Sequence, residues 1–332
     1  EVPPISGGIP APPEWLQEPE GGEQITPEDF PSPTGGTDLL HKVMPQIQIS
    51  EQTSTYTRVG KPEPKVDAAK LVQGKPAFVA DDEKRDLLIA KVLPSPHAHA
   101  LITHIDASKA RALPGVAAVL THEDIPRVVF STAGQSDPIP GPLDCFSLDR
   151  KVRFVGDRVA FVAAESEEIA LQALELIDVE YEILEPILDP REAMVEGAPI
   201  IHDEPEYVDF ADSDASRNLA AEIRIDIGDV EKGFEEADRI FEEEYVVPKV
   251  HQAHIEPHVV LTYWDEDDRL VILTSTQVPF HVRRILAPVL GLSDGEIRVI
   301  KPRIGAGFGN KQEIYEDIPA HLTIATGRPV LL

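Results

Sequence analysis

The 332 residues hold 42% hydrophobic and 27% charged side chains, an ordinary globular balance with length enough for two cores. Lys and Arg number 30 against 59 Asp and Glu, and the net charge of −29 speaks against nucleic-acid and anionic-membrane partners. No run reaches the ~18 apolar residues of a membrane span, no basic signal-peptide start is present, and a cytoplasmic address is the default expectation.

Residues 1–65 are rich in Pro and Gly, with P-P-I-S-G-G-I-P-A-P-P near the start and P-S-P-T-G-G further on, and lack apolar periodicity. Such a segment buries too little surface to offset its ordering entropy, so it reads as a linker or an extended arm. The first residue is Glu1 rather than Met, which fits a processed chain or a fragment.

From residue 66 the pattern becomes regular. Leu87–Leu93, Ala100–Ile105 and Val116–Leu120 read as strands, with a short helix after Asp106 stopped by Pro114-Gly115. Val159–Ala164 is nearly all apolar, as in a strand covered on both faces. Ser166 caps a helix bearing Ile169, Ala173, Leu174 and Ile177, and Val179–Ile183 returns as a strand. These elements predict a compact α+β domain over 66–195.

A hydrophilic crossing at 203–217 leads to a second region over 210–332. Asp229 caps a helix with Val230, Phe234 and Ala237 turned inward; strands are expected at 239–248, Val259–Trp264 and Leu270–Ser275. Pro279 opens a helix carrying Val282, Ile285, Leu286, Val289 and Leu290, which Gly291 closes. A strand at Ile297–Ile304, a glycine loop and a last helix with Ile314, Ile318 and Leu322 complete the chain, and Pro288 and Pro319 are expected to kink the two helices. The apolar Val330-Leu331-Leu332 is expected to be a buried strand continued elsewhere, or else an exposed edge prone to association.

Three segments could carry chemistry. In Gly305-Ala306-Gly307-Phe308-Gly309-Asn310-Lys311 the alternating glycines let backbone approach a ligand with N–H groups exposed, which suits phosphate or an oxo-anion; turn chemistry is the competing reading. The spacing is neither a dinucleotide fingerprint nor a Walker loop. Thr274-Ser275-Thr276-Gln277 ends a strand and starts a helix, where Gln277 can both donate and accept, although capping alone would also explain it. His251-Gln252-Ala253-His254-Ile255-Glu256-Pro257-His258 invites a zinc reading, but H-E-x-x-H is absent and Pro257 breaks any helix that would align the ligands. His97, His99 and His104 alternate along a strand and its entry as a solvated or packed face. The single Cys145 can form no internal disulfide and hold no iron–sulfur cluster alone.

In order, these segments resemble the xanthine dehydrogenase/aldehyde oxidase family of molybdenum hydroxylases. S-P-H-A-H-A-L-I at 95–102 and V-R-F-V-G-D-R-V-A-F-V-A-A-E at 152–165 are similar to the family's α/β hammerhead domain. H-I-E-P-H at 254–258, T-S-T-Q-V-P-F-H-V-R-R at 274–284 and R-I-G-A-G-F-G-N-K-Q at 303–312 resemble the opening of its molybdopterin-binding domain, the last being its G-G-G-F-G-G-K loop. The wording is nearest to bacterial xanthine or nicotinate dehydrogenases.

The resemblance implies hydroxylation of a purine-like N-heterocycle or an aldehyde with water as the oxygen source. The implied cofactor is a molybdenum-pterin, as molybdopterin cytosine dinucleotide, with [2Fe-2S] and FAD centres on partner domains or chains taking the electrons. Gln277 would hydrogen-bond an oxygen ligand of the molybdenum, Phe308 and Gly309 would line its apical side, and Gly305 and Gly307 would let the loop close on the cofactor. No side chain would bind the metal directly. Ala306 and Asn310 stand where the family has glycine, and Gln312 stands where purine-oxidising relatives often carry a substrate-binding glutamate. The catalytic base is expected beyond Leu332, so the chain alone would be inactive and would need the rest of the molybdopterin domain and the iron–sulfur and FAD subunits. The competing expectation is a non-catalytic assembly or scaffold subunit of such a complex.

Overall fold

Strand β5 (Arg158–Ala164) shows most directly why this sequence folds as it does. Ala160, Val162 and Ala164 pack with Ala107, Ala110, Ala170 and Ala173, whereas Phe161 and Ala163 pack with Leu88, Ile318 and Leu322. Alternate side chains thus enter two different cores, so the strand must be apolar throughout. A computed structural model describes residues 62–132 and 141–332, and Val66–Leu332 is one unit, distinct from Glu1–Lys65. The linker expected over 1–65 lies almost wholly outside the described residues.

In chain order the unit contains α1 (Ala68–Val72), β1 (Leu88–Pro94), β2 (Ala100–Asp106), α2 (Ser108–Arg111), β3 (Val116–Leu120), β4 (Lys151–Val152) and β5. Then come α3 (Glu167–Glu175), β6 (Asp178–Ile183), α4 (Pro190–Ala193), α5 (Val230–Glu236), β7 (Val260–Trp264), β8 (Leu270–Thr274) and α6 (Pro279–Leu290). The last elements are β9 (Ile297–Ile300), α7 (Asp317–Thr326) and β10 (Val330–Leu331). The fold is α+β, as the sequence predicts.

A seven-stranded mixed sheet runs in the order β3-β5-β1-β10-β7-β8-β9, and β4-β2-β6 form a three-stranded sheet. The joint of the large sheet is β10, which pairs in parallel with β1 (Leu88 with Val330) and antiparallel with β7 (Val330 with Thr262). The sheet therefore runs from strands near residue 90 to strands near residue 300 without a break. This corrects the expectation for the chain end: Val330 is fully buried and both sides of β10 are paired within the chain, so it is no exposed edge.

One ion pair crosses the same joint. Arg158 reaches Asp317 at 2.7 Å and the carbonyl of Ile314 at 2.7 Å, and the Asp317 side chain is wholly buried.

Three local expectations are also corrected. The segment expected as a strand at 239–248 has no strand, and α5 buries none of its residues, leaving Val230 and Phe234 exposed. No partner strand lies beside 239–248 among the described residues, and an extended segment without a ladder cannot satisfy its backbone as a strand. Strand β9 stops at Ile300 rather than residue 304, because Pro302 has no N–H to give a ladder. Both helices contain the prolines the sequence places in them: α6 continues through Pro288 to Gly291 at φ 68°, and Pro319 sits in the first turn of α7, where N–H groups lack intrahelical partners anyway.

Candidate cofactor site

Strand β8 ends at Thr274, and Thr274 and the following Ser275 and Thr276 are all buried and all hydrogen-bonded. Ser275 N donates to Val259 O, Val259 N donates to Ser275 Oγ, and Thr276 Oγ1 donates to Lys311 O at 3.2 Å while accepting from Val278 N. Pro279 then begins α6. The crossing leaves Gln277 half-buried at the strand–helix junction, its own N–H 2.7 Å from Lys311 O.

That carbonyl belongs to the glycine loop. Gly309 N donates to Gln277 Oε1 at 3.1 Å, Gly305 N donates to Glu256 Oε2 at 2.7 Å, and Asn310 N donates to Gly307 O. Close approach dictates two of the glycines: a Cβ on Gly307 would lie 2.5 Å from Gln277 Oε1, and one on Gly305 would lie 2.7 Å from Glu256 Cβ. The left-handed backbone falls elsewhere, at Ala306 (φ 73°), Phe308 (φ 52°) and Gly309 (φ 87°). Ala306 and Phe308 are strained there, and strain of this kind persists only where surrounding bonds over-determine it.

Those bonds come from the 254–258 segment. Lys311 is fully buried and its Nζ lies 2.5 Å from Glu256 Oε2, which also takes the Gly305 N–H. Asn310 Nδ2 lies 3.0 Å from His254 Nε2 and 3.3 Å from His258 Nε2. His254 Nδ1 is 2.6 Å from the carbonyl of Glu256, which only accepts, so Nδ1 carries the proton and Nε2 is the acceptor. Burial first, then the neighbouring His254, Lys311 and His251, push the His258 pKa down to about 4, so its ring is neutral near pH 7. Its ring lies tilted against Tyr315, the ring centroids 4.4 Å apart. Among the described residues no group of three or more His, Cys, Asp and Glu side chains is arranged to hold a metal ion.

The structure thus brings Gln277, Gly305, Gly307, Phe308 and Gly309 together. Gln312 follows on a single 3-10 turn, Asn310–Gln312, and is half-buried. The loop does not feed straight into an α-helix: α7 begins only at Asp317, so the N-terminus of α7 does not adjoin the loop. Glu256, Lys311, His254, His258 and Asn310 were not singled out as site residues. The signal available for them was complementarity, an acid and a lysine lying in two separate motifs that resemble one family.

The donor set suits an oxygen-rich, anionic group. The N–H groups of Ala306, Gly307 and Phe308 and the amide Nε2 of Gln277 have no hydrogen-bond partner among the described residues. Gln277 Oε1 is committed to Gly309, so the end of the amide left for a ligand is the donor end. The Phe308 ring, 71% exposed, adds an apolar surface beside these donors. Backbone donors packed against a buried, hydrogen-bonded junction are a chemistry suited to an oxo-anionic ligand.

Comparison with known proteins identifies the family. Residues 211–332 match the molybdopterin cofactor-binding domain, and residues 73–185 match the aldehyde oxidase and xanthine dehydrogenase a/b hammerhead domain. A probable hypoxanthine oxidase of Escherichia coli (strain K12) is 49% identical over 299 residues, covering 82% of this chain and 31% of that protein. The nicotinate dehydrogenase large molybdopterin subunit of Eubacterium barkeri is 34% identical over 279 residues, covering 83% of this chain and 61% of that subunit. The solved aldehyde oxidoreductase from Desulfovibrio gigas superposes with a TM-score of 0.68 at 28% identity, over 81% of this chain and 29% of that one. The chain belongs to the xanthine dehydrogenase/aldehyde oxidase family, as a molybdenum-binding subunit. It spans about a third of the length of the first of these relatives.

Proposed function

We propose that this chain is the front part of the cofactor-holding polypeptide of a molybdenum hydroxylase that oxidises a purine-like N-heterocycle or an aldehyde with water as the oxygen source. The observation that carries the reading is the Gln277 amide, held by Gly309 with its Nε2 donor uncommitted beside the glycine loop. When bound, the molybdenum-pterin supplies the two-electron redox chemistry. Gln277 Nε2 donates to an oxygen of the bound group, the amides of Ala306, Gly307 and Phe308 face its anionic charge, and the Phe308 ring shields one side from water. Gln312, a neutral amide, takes the substrate-contact position and leaves both substrate classes open. The names of the hypoxanthine oxidase and the nicotinate dehydrogenase lean toward the heterocycle.

The finer assignments belong to the same proposal. The pterin is the cytosine dinucleotide form, [2Fe-2S] and FAD centres lie on partner domains or chains, and the assembly is cytoplasmic. The catalytic base is supplied from sequence beyond Leu332. The remainder of the molybdopterin domain covers the segment 221–250, whose Ile223, Ile225, Ile227, Phe241, Tyr245 and Val247 are exposed. Exposed apolar area on this scale is a docking surface rather than an ordinary protein exterior. No helix among the described residues is long and apolar enough to cross a membrane. A scaffold that had lost its site is the competing reading, and the retained loop geometry around Gln277 favours the enzyme. The test is molybdenum and pterin analysis, with dye-linked oxidation of hypoxanthine, nicotinate and an aldehyde, on the complete assembly. Oxidation of one of them by a molybdenum-loaded assembly is the expected result; a metal-free, inactive one supports the scaffold.

A further inference from the structure

Asn310 is the residue of the loop that stands closest to both of its anchors. On one side it follows Gly309, whose N–H is held by Gln277 Oε1; on the other it precedes Lys311, whose carbonyl takes the Gln277 N–H and whose Nζ is buried against Glu256. Its own side chain points to neither of these. Instead Nδ2 lies within 3.0 Å of His254 Nε2 and 3.3 Å of His258 Nε2. An amide nitrogen carries two hydrogens, and here two imidazole acceptors receive them. The His254 acceptor is fixed by the bond from its Nδ1 to Glu256 O at 2.6 Å, and the His258 ring by its edge-on contact with His254 at 5.3 Å and its tilted contact with Tyr315.

We propose that Asn310, His254 and His258 are positioning residues, a side-chain latch that holds the Gly309 N–H on Gln277 and so keeps the Gln277 amide turned with its donor end toward the cofactor. The inference rests on the molybdenum-cofactor reading of the site. A glycine at 310 has no side chain with which to make this latch. Without it, the two left-handed non-glycine residues, Ala306 and Phe308, are restrained from fewer sides, and the Gln277 amide is free to rotate and present its carbonyl oxygen instead. An oxygen presented to an oxygen ligand repels it, so the latch acts on the cofactor through Gln277 and touches no substrate.

Two substitutions separate the latch from mere packing. Asn310→Leu keeps the size and removes every hydrogen-bonding group, and Asn310→Gly removes the side chain. In the full chain, amide exchange at Gly309 should quicken about tenfold in both, the usual consequence of losing one hydrogen bond. Exchange in β8 and α7 should stay as it is. His258→Gln, which retains an acceptor near the Nε2 position, should stay within about twofold of the native rate. In the cofactor-loaded complete assembly, Asn310→Leu should retain molybdenum and shift the molybdenum electron-spin-resonance spectrum in the same sense as Gln277→Ala. Unchanged Gly309 exchange in Asn310→Leu would overturn the latch, and so would altered exchange with an unshifted spectrum. A native assembly that contains no molybdenum would instead sink the cofactor reading on which the inference rests.

Discussion

Gln277 is fixed twice, by its N–H on Lys311 O and by its Oε1 under the Gly309 N–H, so it offers a ligand one amide donor in a set direction. Gln277→Ala removes that donor and leaves the buried Thr274-Ser275-Thr276 run intact. Steady-state turnover of the complete assembly should fall by about 10–100-fold, the usual effect of losing a partner to a metal's ligand. Native turnover at full molybdenum content would contradict the role. His258 gives a second prediction. Its folded pKa of about 4 lies below the ordinary 6.5, so the unfolded chain binds the extra proton first as pH falls. Stability is therefore full above 6.5 and is lost as pH drops from 6.5 toward 4. Urea midpoints of the native chain and His258→Gln should diverge across that window, with the native chain falling faster; parallel midpoints would contradict it. At this scale the sequence disclosed Gln277 and the glycines, because a motif carries them. It did not disclose the Glu256–Lys311 pair or the imidazoles around Asn310, because partners 52 to 56 residues apart meet only when β7, β8 and the loop are assembled.

Among elements, β10 does more than its two residues suggest. It joins β1 to β7 and makes one sheet of strands that match two different family domains. The Arg158–Asp317 pair crosses the same joint, with the carboxylate fully buried. Arg158→Ala strands that charge, and equilibrium unfolding of the full chain should lose about 3–5 kcal/mol. A change within error would show that the joint does not depend on the pair. Strand and helix cores were legible wherever apolar period and caps agreed: Ser166 accepts from Ile169 N, Asp229 accepts from Lys232 N, and Gly291 and Gly327 close their helices. The 239–248 strand was misjudged because its pattern is that of a strand, while forming one requires a neighbour to pair with. Pairing is a property of the whole sheet and is not written in any one segment. Amide exchange should accordingly be fast across 221–227 and 239–250 in the chain alone and become protected in the complete assembly; protection already present in the chain alone would contradict the lack of pairing.

For the whole molecule, the net charge of −29 argues against a nucleic acid or an anionic lipid surface as partner, while the family match argues for a molybdopterin ligand, itself an anion. The sites of attraction are backbone amides, which net charge does not register. Lys311 does not alter this, because Glu256 already neutralises it. The most direct test is the molybdenum and pterin content of the complete assembly, measured for the native chain and for Gly307→Ala. The added Cβ would lie 2.5 Å from Gln277 Oε1 and displace the amide from the loop. The account predicts molybdenum and pterin stoichiometric with the native chain and clearly reduced with Gly307→Ala, while the hammerhead strands keep their amide protection. Equal loading of the two, or no molybdenum in either, would contradict the claim that the Gln277–glycine loop pair holds the cofactor.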